Sequence, residues 1–133
     1  MTIRYKRPDN KNAMSIVKAA KEEMDFALSI NIHDKSGSTI IRNIYESFRM
    51  LGDSLLVYKG FESKDHTDCI KELINLKVKT QRPLGILDNI RILRHNINYY
   101  GYRPKLDEVK EIISIAKSLF NPIYGEVLSK ISN

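Results

Sequence analysis

The chain has 133 residues, 42% of them hydrophobic and 29% charged, with 22 lysines and arginines against 16 aspartates and glutamates for a net charge of +6. One domain spanning 1–133 suits that length, because a core of this size offsets the entropy of ordering the backbone, and the composition is that of an ordinary globular protein and speaks against a disordered chain. A basic surplus of this kind favours phosphate-bearing partners only if the charges cluster on one surface.

From the amino terminus, the start from Met1 to Pro8 lacks the apolar run of a signal peptide. No stretch reaches the roughly 20 consecutive apolar residues that cross a bilayer, so no membrane association and a cytoplasmic location are expected. The single cysteine, Cys69, forms no internal disulfide and fits a reducing compartment. A first helix is predicted from about Asn12 to Ile30, capped by Asn10 or Asn12, with Ile16, Ala20, Met24, Ala27 and Ile30 facing inward. Asn31 to Gly37 reads as a loop. A long second helix follows from Ser38 to about Lys59, carrying Ile41, Ile44, Tyr45, Phe48, Leu51, Leu55 and Leu56 at helical spacing and stopped by Gly60 in a left-handed turn.

A third helix is predicted from about Asp65 to Lys77, with Cys69, Leu73 and Leu76 inward and Ser63 or Asp65 accepting its first N–H groups. After Arg82-Pro83, a fourth should run from about Leu84 to Tyr100 on the stripe Ile86, Ile90, Leu93 and Ile97, ending at Gly101. Leu106 to Leu119 marks a fifth that Asn121-Pro122 is expected to break, leaving Val127 to Ile131 as a short last piece. Nothing alternates like a sheet. The expected fold is all-α: an antiparallel up-and-down bundle of four main helices plus one or two short C-terminal helices.

The densest set of functional side chains lies between Ile90 and Tyr102. At about 100° per residue, Arg91, Arg94, His95 and Asn98 fall within an arc of about 100°, while Ile86, Ile90, Leu93 and Ile97 are placed on the opposite side. Two guanidinium forks, an amide and an imidazole in a row, with Tyr99 on the flank, suit a phosphate chain and its unpaired bases. By spacing alone, the same residues also read as a solvated basic face near a helix C-terminus, where cations meet the negative end of the macrodipole.

Several stretches together resemble the HEPN domains of prokaryotic proteins, over most of the chain. Ile44 to Leu51, then Leu55 to Phe61, is similar to the long second helix of that family and its glycine exit. Asp65-His66 leads a short third helix. Leu93 to Gly101 resembles the signature of an arginine, a polar residue and then a histidine four to six residues after the arginine. Arg94 takes the arginine position and His95 the polar one, whereas the terminal histidine position falls on Tyr99, Tyr100 or Gly101. In active members the resemblance implies RNA cleavage without metal or other cofactor, the arginine and histidine helping a ribose 2′-hydroxyl attack the adjacent phosphate in a cleft between two subunits.

Carried onto this chain, the resemblance makes Arg94, His95 and Tyr99 the candidate catalytic residues and Arg91, Asn98, Tyr100 and Tyr102 the candidate RNA-contacting ones, in a homodimer. A tyrosine with a pKa of about 10 exchanges few protons near neutrality, so the expected function is an RNA- or nucleotide-associated module with degenerate catalysis. One alternative is an interaction module pairing with a nucleotidyltransferase, as in toxin–antitoxin pairs of the family. There a tyrosine two places after the histidine accepts nucleotides, a position that falls on Gly101 here if Tyr99 replaces the histidine. A second alternative is an active metal-independent endoribonuclease in which His95 or a tyrosine supplies the missing proton exchange.

Weaker signals point to structure. His66 and Cys69, beside Asp65 and Asp68, fall short of the four ligands of a zinc site; the two carboxylates suit a helix N-terminus and Cys69 suits the core. Glu22, Glu23 and Asp25 lack the Glu-x-x-His pairs of di-iron bundles. Asp53 reads as the partner of Arg49 or as an exposed helix edge. Tyr45, Phe48 and Tyr58 read as core or dimer contacts.

Overall fold

A capping aspartate starts the first helix two or three residues before the expected point. The computed structural model of the protein describes residues 3–5, 7–63 and 65–132, and in it the Asp9 carboxylate accepts the Asn12 N–H at 2.9 Å, satisfying one orphan donor of α1 (Asn10–Ser29). Ala13, Val17, Ala20, Met24 and Ala27 are buried along one stripe. Buried Ser36 then pins the connecting loop, donating to the Asn31 carbonyl at 2.7 Å and accepting the His33 N–H at 3.0 Å.

The second helix, α2 (Gly37–Lys59), is the axis of the molecule. It touches α1, α3 (His66–Ile74), α4 (Ile86–Tyr100) and α5 (Leu106–Ser132). The Asp9 N–H donates to the Val57 carbonyl, and the Ser47 hydroxyl donates to that of Ala20 at 2.7 Å. The start of α1 therefore meets the end of α2, and the two run antiparallel. Gly60 stops α2 with φ 86°, the left-handed conformation that a residue without Cβ adopts at no steric cost.

Two expectations are corrected here. A short antiparallel ladder joins β1 (Ile3–Tyr5) to β2 (Phe61–Ser63), with Arg4 opposite Glu62. Three residues are too few to show alternation, and the partners lie far apart in sequence, so no local signal marks them. The second correction is the C-terminal region, where Pro122 sits inside one 27-residue helix, α5. Proline costs roughly 3 kcal/mol or more in a helix interior. Ile123, Val127 and Ile131 are buried beyond it, and at about 1.5–3 kcal/mol for each buried side chain their packing outweighs that cost.

The remaining elements differ in their ends. The Asp65 carboxylate accepts the Thr67 N–H at 2.9 Å to cap α3, which stops at Ile74 rather than Lys77. Asp68 and Cys69 are buried; the side chain of His66 lies outside the described residues. Before α4, Ile86, Leu87 and Asp88 donate to the carbonyls of Pro83, Leu84 and Gly85, so i−3 carbonyls replace the side-chain cap that Gly85 cannot supply. Arg82 ties this connection to α5, pairing with Glu111 and donating to the Ser114 hydroxyl at 3.0 Å. Among the described residues, no helix is long and apolar enough to cross a membrane.

Candidate nucleic-acid interface

The polar ridge of α4 begins in the core. Leu87 lies one turn ahead of Arg91 and two ahead of Arg94, and it is buried together with Ile90 and Ile97. The ridge Leu87, Arg91, Arg94, Asn98 is thus adjacent to the apolar stripe and not opposite it as expected. It leans on α2 and emerges gradually into solvent. Arg91, with its side chain 28% exposed, donates from Nε to the Asp88 carboxylate at 2.6 Å. That bond raises the guanidinium pKa above its ordinary value, with smaller help from the fields of Asp88, Tyr45 and Asp65.

Arg94 places its guanidinium carbon 5.1 Å from the centroid of the Tyr45 ring. Tyr45 is 1% exposed, so the cation rests on a desolvated aromatic face, the setting in which this attraction is strongest. A guanidinium carries five N–H donors in a planar fork, the geometry that suits the oxygens of a phosphate. Asn98 accepts from Arg42 Nε of α2 at 2.6 Å, which brings a third guanidinium to the ridge. Arg49 closes a fork on Glu46. The hydrogen bond to Glu46 raises its pKa, and Asp53, its expected partner, contributes through its field.

Outward from this ridge lies an aromatic shelf. The exposed His95 ring sits 4.7 Å from Tyr99 and 5.7 Å from Tyr100, and the two tyrosines are 67% and 76% exposed. Gly101, at φ 65°, ends α4 directly behind them, so both rings project from the last turn. Tyr102 departs from the group: its hydroxyl donates to Glu108, which also accepts the Lys105 N–H at 2.9 Å, and its own N–H donates to the Asn96 carbonyl. It closes the α4–α5 turn. The Tyr102 bond lowers the Glu108 pKa and raises that of Tyr102.

Of the seven residues expected from sequence, Arg94 lies over the Tyr45 ring, Arg91 pairs with Asp88, Asn98 meets Arg42, His95, Tyr99 and Tyr100 form the shelf, and Tyr102 stands apart on Glu108. Sequence reading missed Arg42 and took Tyr45 for a core or dimer contact, with no part in the site. Contacts between residues far apart in sequence left no local signal, although Tyr45 is indeed buried.

No protein-family model, curated protein or solved structure matches this chain.

Burial pushes the Tyr45 phenol up to about 12, with Arg94 opposing the shift. An unfolded phenol titrates near 10, so between about pH 10 and 12 the unfolded chain releases a proton that the folded one keeps. Stability is fully present below that window and falls as pH rises through it. Tyr45→Phe is expected to lose on the order of 2 kcal/mol less than wild type across it, read from urea midpoints near pH 9 and pH 11.5. Parallel losses in both proteins would show that Tyr45 ionises without penalty.

Proposed function

We propose that this chain is a HEPN-like helical module that binds single-stranded RNA on the face of α4 without cutting it. The observation that carries the reading is the exposed shelf of His95, Tyr99 and Tyr100 on the same helix as Arg91 and Arg94. Aromatic rings exposed to this degree at a helix end offer platforms for unpaired bases, and adjacent arginines hold the phosphates that link them. In a duplex, stacking between successive base pairs hides the faces that the shelf needs. Duplex RNA is therefore a poorer ligand.

Catalysis is the step the residues support least. Tyr99 and Tyr100 stand where the family signature expects its histidine, and His95 packs against both rings. In this reading Arg94, His95 and Tyr99 are a binding set inherited from a nuclease framework. The HEPN resemblance adds an antiparallel four-helix arrangement, a homodimer and a cytoplasmic setting to the proposal.

Fluorescence anisotropy with a labelled single-stranded RNA pool and a matched duplex tests it. The expected outcome is preferential binding of the single strand, with the RNA intact on a gel after prolonged incubation with or without chelator. Equal or tighter binding of the duplex would remove the stacking reading. Chelator-resistant cleavage that disappears in Arg94→Ala would restore the endoribonuclease reading.

A further inference from the structure

Helices α4 and α5 both pack against α2 and leave between them a groove of about 520 Å³. Its apolar lining comes from Ile86, Ile92 and Leu93 on one side and Ile112 and Ile115 on the other. Ile92 is 45% exposed. From Ile86 to Asn96 the α4 wall runs about 15 Å at 1.5 Å per residue, roughly three helical turns. Such a trough between two helices matches the apolar face of a third helix that anchors at i, i+3 or i+4, and i+7.

The charge around the groove says what kind of helix. Asp107, Glu108 and Glu111 stand on the α5 side, and no lysine or arginine is among its lining residues. The chain as a whole carries +6. Three other concavities, two between the α3–α4 connection and α5 and one within that connection, are lined by combinations of Lys79, Arg82, Lys110 and Lys117 with no carboxylate. This groove therefore has the sign opposite to that of its surroundings. Arg82 pairs with Glu111, leaving the rim acidic overall.

We infer that the α4–α5 groove docks a cationic amphipathic helix of a partner protein, its apolar side chains on the isoleucine floor and its lysines or arginines against Asp107, Glu108 and Glu111. His95, Tyr99 and Tyr100 are not among the residues that line this groove. Charge complementarity at a rim sets orientation and partner choice more than raw affinity, which the apolar floor supplies.

The test uses the full chain and a panel of stapled four-turn helical peptides that share one Leu/Ile face and differ only in flanks of lysine, glutamine or glutamate. Affinity is expected to fall in that order, with at least a tenfold difference between the ends at low salt. The net charge of the protein alone predicts the reverse order, so the ranking discriminates between the groove and the general field. Ile92→Asn should weaken the lysine-flanked peptide at least tenfold while leaving thermal unfolding unchanged, because Ile92 is half exposed. Arg94→Ala should leave peptide binding intact. Tighter binding of the glutamate-flanked peptide, no ranking, no binding by any peptide, or insensitivity to Ile92→Asn would each overturn the proposal. A wild-type dimer that Ile92→Asn converts to monomer in sedimentation would overturn it too, by showing that a second copy fills the groove.

Discussion

Gly52→Ala is expected to destabilise the protein by about 3 kcal/mol or more, at the upper end of what overpacking costs. Gly52 lies inside α2 where α3 crosses, and a Cβ there would stand 2.0 Å from the Cys69 carbonyl oxygen and 2.6 Å from its carbonyl carbon. Both atoms are backbone, so no rotamer change relieves the overlap. Either α3 moves away from α2, or α2 bends. A domain is stable by only about 5–15 kcal/mol, and the loss is a large share of that. Gly125→Ala is the matched control, since Gly125 lies in α5 with open space around a new Cβ. Alanine there should be neutral or stabilising by up to about 1 kcal/mol. Urea denaturation compares the two; a Gly52→Ala protein within about 1 kcal/mol of wild type would mean that α3 slides at little cost.

The double variant Tyr99→Ala/Tyr100→Ala is expected to weaken single-stranded RNA binding by on the order of a hundredfold, at about 1–3 kcal/mol for each stacked base. Both side chains are exposed, so unfolding should not change, and the weakening would belong to the interface. The salt dependence should keep its slope, because neither ring touches a phosphate through charge. Arg94→Ala should behave differently, lowering affinity and reducing the slope of log affinity against log salt by about one unit, the share of a single phosphate neutralised by one guanidinium. Arg94→Lys should restore most of the slope and less of the affinity, because an ammonium keeps the charge but not the planar fork of donors. Retention of wild-type affinity in the tyrosine pair would sink the shelf as a platform.

What the sequence made legible is what local chemistry decides. Gly60 and Gly101 were readable as left-handed stops because the signal, a glycine closing an apolar helical pattern, sits where the conformation does. Gly52 carried a signal of another kind. A glycine inside a helical pattern implies a close approach by something, but the Cys69 carbonyl that approaches is named only by the fold. The expected break at Pro122 failed because a penalty at one residue was set against packing that the sequence does not display. In the candidate site, the residues of α4 were found by type and spacing. Their direction differs from the expected one, because Leu87 shares their side of α4 and is buried, and the bond between Asn98 and Arg42 spans 56 positions.

The central place of α2 has a consequence for how the backbone breathes. Amide hydrogens of a helix touched on all sides exchange with solvent only when the whole structure opens, whereas a helix held along one flank exchanges through smaller openings. α4 rests on α2 and α3 and borders the open groove on another side, so its amides should be the quicker to exchange. The proposed RNA face thus lies on a helix with stability still to gain. RNA bound there would slow exchange in α4 first, spending part of its binding energy on quieting the helix that holds it.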